Sequence, residues 1–151
     1  MAFGPTNRVQ FRGVLVSRRT KRALVWAEKA SGFKFRMAQG SWSHFKLSAG
    51  THSGSGVVDI GMAGVPWRQR VRIIRALKDA GFAVWFRKPP AFSPHLHACL
   101  FNEPGMAEGA RNQLRSFDAR RDGLAGNGSD NTYRPRRKVK FGFWRNIPVP
   151  R

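Results

Sequence analysis

The chain has 151 residues, 41% of them hydrophobic, which is enough for one domain with a buried core and short for two. Lys and Arg number 28 against 8 acidic residues, a formal charge of +20, so the expected partners are polyanions and acidic surfaces. A single cysteine, Cys99, excludes an internal disulfide, and no apolar run approaches the length that spans a bilayer.

The opening residues, Met1 to Arg8, lack the apolar stretch of a secretory leader, so no signal peptide is expected. Positive charge gathers at both ends: residues 1–40 carry nine basic side chains against one acidic, and residues 120–151 carry nine against two. Residues 1–19, with Val9, Phe11, Val14 and Val16 among arginines, read as a basic N-terminal arm that is strand-like in part. Thr20 as a cap, the apolar set Ala23, Leu24, Trp26 and Ala27, and Gly32 as a stop predict a short amphipathic helix over 20–30. Period-two alternation over 33–38 predicts a strand, followed by a Gly/Ser-rich loop over 40–56 and a second strand over 57–62. Pro66 opens a helix in which Trp67, Val71, Ile74 and Leu77 share one face while Arg68, Arg72 and Arg75 mark another. Strands over 82–86 and 95–101 and a helix over 106–119 complete the domain. The expected class is α+β, with a small central antiparallel sheet flanked by helices over 20–119. From residue 120 Gly, Asn, Asp and Pro accumulate, which reads as a basic, aromatic C-terminal extension over 120–151.

Chemistry concentrates in two places. His52 and Asp59 bracket the end of the Gly/Ser loop and enter the following strand, while His95 and His97 fall on one face of a later strand with Leu96 on the other. Two imidazoles on one strand face need partners. Zinc takes imidazole nitrogen and carboxylate oxygen from rigid elements, and a catalytic site keeps one further position open to water. His52, Asp59 and His97 would supply three ligands. Arg36 and Arg87 are candidates for gripping a substrate carboxylate, because a guanidinium pairs with a carboxylate through two parallel bonds.

The segments Gln39-Gly40-Ser41, Ser48-Ala49-Gly50-Thr51-His52, Gly56-Val57-Val58-Asp59, Gly81-Phe82-Ala83-Val84-Trp85 and His95-Leu96-His97 resemble the zinc peptidases that include D-alanyl-D-alanine carboxypeptidases and phage L-alanyl-D-glutamate endopeptidases. Gly109-Ala110-Arg111-Asn112-Gln113 and Asp122-Gly123-Leu124-Ala125 extend the likeness towards a branch found in actinobacteria and their phages, over roughly residues 36–130. The resemblance implies the α+β fold, Zn2+ held by His52, Asp59 and His97, and peptidoglycan stem peptides as substrate. Gln39 and Ser48, inside matching segments, join Arg36 and Arg87 as substrate-side candidates. The carboxypeptidase branch has a glutamate base three residues before the last ligand, where this chain has Pro94. Relatives with a His-x-His motif use its first histidine for proton transfer, which gives that role to His95.

Two functions follow as expectations. One is a phage-associated peptidase made in the cytoplasm of a bacterial host and acting at the cell wall, held there by anionic wall polymers. The other is a non-enzymatic virion component that keeps the fold and docks on other virion proteins through basic arms. Arg136, Arg137 and Lys138 would attract, and Phe141, Phe143 and Trp144 would anchor. Non-specific attraction to DNA follows from the charge alone.

Overall fold

The computed structural model describes residues 7–44 and 49–132. Among the described residues the fold is α+β, with two small antiparallel sheets and three α-helices, none of them long and apolar enough to cross a membrane. Strands β1 (Arg8–Phe11) and β2 (Val14–Ser17) form a hairpin around Arg12-Gly13, whose positive φ angles of 46° and 84° match the twist of paired strands. Phe11 and Val16 enter the core at 5% and 0% exposure. Residues 8–17 therefore belong to the domain and not to a free arm over 1–19. Loose alternation shows strand character, but only pairing gives a four-residue strand a buried face.

Helix α1 (Arg18–Ser31) starts two residues earlier than expected, because Ser17 is the cap: its Oγ accepts from the Thr20 N–H at 2.9 Å. Gly32 closes it as expected, with its N–H donating to Glu28 O. The strand expected over 33–38 shrinks to β3 (Met37–Gln39). The physical reason is Glu28, whose carboxylate accepts from the Phe35 N–H at 2.7 Å and from Arg12 at 2.8 Å, tying residues before β3 to the helix instead of to a strand.

The main sheet has the order β3-β4-β6-β5, with β4 spanning Val57–Gly61, β5 Phe82–Arg87 and β6 His95–Leu100, all neighbours antiparallel. Its two faces divide the protein. Val58, Ile60, Val84, Leu96 and Ala98 face α1 and α2 (Trp67–Asp79), joined by Leu24, Ile73, Ile74 and Leu77 in the larger core. Val57, Ala83, Trp85 and Cys99 face α3 (Glu108–Asp118), where Ala110, Leu114 and Phe117 cover them. Trp67, expected on the apolar stripe of α2, is instead 53% exposed at the helix start, with the Arg70 guanidinium over its ring. Leu96 is fully buried, so Leu96→Ala is expected to cost about 2–5 kcal/mol in a urea titration. An unchanged midpoint would show that this face is not core.

Residues 121–132, read from sequence as part of a C-terminal extension over 120–151, pack on the domain, and residues 133–151 lie outside the described residues. Trp85 Nε1 donates to Arg121 O, Arg87 Nη1 to Asp122 O, and the Phe86 N–H to Thr132 Oγ1, so residues 121–132 line the outer edge of β5. Ending the chain at residue 119 removes these three bonds and a fourth, from Gln113 Nε2 to Gly123 O. At roughly 1 kcal/mol each, the expected loss is about 4 kcal/mol, read as a lower melting temperature. An unaltered melting temperature would return 120–132 to the status of an appendage.

Candidate metal centre

The sheet places the site by register. Asp59 on β4 stands opposite His97 on β6, which stands opposite Trp85 on β5, and Gln39 on β3 pairs with Asp59, so one row of side chains crosses all four strands on the same face. His95 lies one row along, between Gly61 and Arg87. His52 arrives from outside the sheet, on a short 3-10 turn over Thr51–Ser53 that the loop reading did not anticipate. That turn is pinned by Trp42 N–H to Gly54 O and Ser43 N–H to His52 O.

The three ligand candidates converge. Atoms of His52, Asp59 and His97 lie within 4.8 Å of one another, with His52 Nε2 at 3.3 Å and His97 Nδ1 at 2.8 Å from Asp59 Oδ1. Both imidazoles are buried, at 1% and 6% exposure. Each ring is fixed from behind: His52 Nδ1 donates to Gly40 O at 2.9 Å, and His97 Nε2 meets the Gln113 amide oxygen at 2.8 Å. Gly40 has a packing reason to be glycine, since a Cβ there would lie 2.5 Å from Leu15 O and 2.8 Å from Val14 Cβ. Burial alone would raise the Asp59 carboxyl, but hydrogen bonds from His52 and His97 outweigh it and hold the group well below the usual carboxylate range.

Beside this group a cleft of about 340 Å3 is lined by Arg36, Gln39, Asp59, Ser93, Pro94 and His95, among others. His95 Nδ1 donates to Ser93 O at 2.7 Å, which leaves Nε2 facing Asp59 Oδ2 at 3.8 Å. Arg36 donates to Ala63 O, and Gln39 Nε2 to Ser43 Oγ at 3.0 Å. Arg87, read from sequence as a carboxylate grip, does not line this cleft. Its guanidinium is buried over Trp85 and donates to Asp122 O, and burial lowers its pKa against the opposing pull of Asp122. Ser48 and the docking candidates Arg136, Arg137, Lys138, Phe141, Phe143 and Trp144 lie outside the described residues.

Cys99 is fully buried, and that burial, with the Asp59 charge second, pushes its thiol far above the ordinary range, so it sits as a neutral thiol 3.6 Å from His97 Nε2, the ring nitrogen away from Asp59. The residues that sequence reading missed are those behind the ligands: Gln113 and Trp85, whose ring centroid is 5.9 Å from that of His97. Gln113 carried a signal, as an amide set among Ala110, Leu114 and Phe117 on the apolar stripe of α3. Compared with known proteins, the chain matches no family profile, no curated protein and no solved structure.

Proposed function

We propose that this chain is a zinc peptidase-like domain that hydrolyses peptide bonds of bacterial peptidoglycan, with His52 Nε2, Asp59 Oδ1 and His97 Nδ1 as ligands. The observation that carries the reading is the convergence of two buried imidazole nitrogens on one carboxylate oxygen, each ring tied from behind. Buried carboxylate and imidazole groups are commonly satisfied by a cation, and this set has the donor types that zinc prefers. Zinc bound there would supply Lewis acidity for polarising a carbonyl and acidifying a water. The chain itself supplies the cleft and a proton carrier. Nε2 of His95 is the atom placed to take up and return a proton, because Nδ1 is committed to Ser93 O.

A second reading, a virion structural component that keeps the peptidase-like fold, is favoured by Pro94. It leaves Asp59 as the one carboxylate lining the cleft among the described residues. Metal analysis coupled to a peptidoglycan-release assay separates the two. Zinc with release supports the enzyme, and zinc without release supports the structural component.

A further inference from the structure

We infer that the groove between strand β1 and helix α1 binds single-stranded nucleic acid, with Arg18, Lys21, Arg22 and Lys29 on the phosphates and Trp26 stacking on a base. The inference goes beyond the peptidase reading and does not depend on it. The groove has a volume of about 280 Å3; half-buried Val9, Val25 and Trp26, which pack against the larger core, line its apolar part, and the four basic side chains, all exposed, line the rest. Helix α1 lies on the sheet face opposite the row that holds Asp59, His97 and Trp85, so the groove and the cleft beside the metal centre are separate surfaces. Positions 18, 22, 25 and 29 recur at intervals of three and four residues and so share one side of the helix. At 1.5 Å of rise per residue the basic groups are spread along roughly 16 Å of helix axis, which suits a chain of repeated anionic groups and not a single ion.

The counter-charge has to come from another molecule. All 8 acidic side chains of the sequence fall among the described residues, and none of them forms an ion pair with Arg18, Lys21, Arg22 or Lys29. Glu28, the one acidic residue of α1, is taken by Arg12 at 2.8 Å and by the Phe35 N–H at 2.7 Å. Residues 133–151 carry basic side chains and no acidic one, so the chain's own C-terminal segment has the wrong charge for the groove. Helix stability argues the same way: the first turn of α1 has no acidic residue, and Arg18, Arg19 and Lys21 stand near the positive end of the helix dipole, with Arg18 three and four residues from Lys21 and Arg22. Each placement destabilises the free helix, and a bound polyanion relieves it. Trp26 decides which polyanion. A polymer without rings would use only the basic groups, and a duplex keeps its bases stacked on one another, whereas a single strand brings phosphates and an unstacked base together to a basic groove that contains an indole.

The test is fluorescence anisotropy of a labelled oligothymidylate titrated with the full chain over a series of salt concentrations. Lys21→Ala/Arg22→Ala is expected to weaken binding and to lower the slope of log affinity against log salt by about 1.4, at roughly 0.7 for each phosphate contact on a single strand. Arg68→Ala/Arg72→Ala removes the same number of basic groups from the exposed side of α2 and should leave the slope unchanged. Trp26→Leu should weaken binding roughly 5–150-fold, the contribution of one stacked base, and Trp26→Phe should restore most of it. Equal slopes for the two double variants overturn the groove, and because all four of those positions are exposed, this comparison stands whether or not Trp26→Leu folds. A folded Trp26→Leu protein with the parent's affinity overturns the stacking role. Parent binding to duplex DNA or to poly(glycerol phosphate) as tight as to oligothymidylate at equal phosphate overturns the single-stranded assignment, and a parent that does not bind oligothymidylate overturns the whole inference.

Discussion

His97→Ala is expected to abolish metal retention, from one zinc per chain in the parent to a background level by elemental analysis. His97 is buried, is the ligand candidate closest to Asp59, and is tied from behind by Gln113, so no other imidazole can take its place without moving β6. His95, on the same strand face, is the nearest alternative, but its Nε2 is 3.8 Å from the other carboxylate oxygen and its ring is anchored to Ser93 O. A metal that binds only the folded state stabilises it by about 4 kcal/mol when present at a thousand times its dissociation constant. For a domain of this size, chelation should then lower the parent's melting temperature by on the order of 10 °C. The His97→Ala protein should melt at one temperature with or without chelator. A parent that holds no metal and ignores chelation would sink the zinc site.

The grouping of His52, Asp59 and His97 was legible in the sequence because metal chemistry is selective about residue type, and strand alternation put His95 and His97 on one face without any knowledge of the sheet. The helices over α1, α2 and α3 were legible through their apolar spacing and stop signals. What stayed hidden depended on contacts between distant segments. The hairpin at residues 8–17 needed the Phe11–Val14 register to show that its apolar residues reach the core. The short length of β3 depended on Glu28, whose carboxylate takes the Phe35 N–H from a helix seven residues away. Arg87 illustrates the opposite limit. Its charge marked it as a substrate group, yet its position opposite His95 sends the guanidinium to the Asp122 carbonyl. Gln113 carried a pattern signal on α3 but no role, since its meaning lies in Gly123 and His97, neither of which is near it in sequence.

His95→Ala should leave zinc bound and reduce peptidoglycan turnover by roughly 10²–10⁴-fold, the scale of general acid–base assistance. The argument is one of elimination within the cleft. Pro94 offers no proton-transfer group, and the Arg36 guanidinium is engaged with Ala63 O. Asp59 is held well below the usual carboxylate range by the two histidines, which makes it a weak base near neutral pH. His95 is left as the cleft imidazole, with Nδ1 committed to Ser93 O and Nε2 directed towards the Asp59 carboxylate. Zinc content separates this effect from damage to the metal site, because a true proton-transfer variant keeps its metal and its melting temperature. Pro94→Glu adds the companion measurement, placing a carboxylate at the edge of the same cleft. If it raises turnover in the His95→Ala background, the two positions serve one function and the parent has moved that function by one residue along the strand. Equal turnover in parent and His95→Ala removes His95 from the mechanism. Zinc-loaded parent with no turnover at all transfers the protein to the structural reading, where His95 has no proton to move.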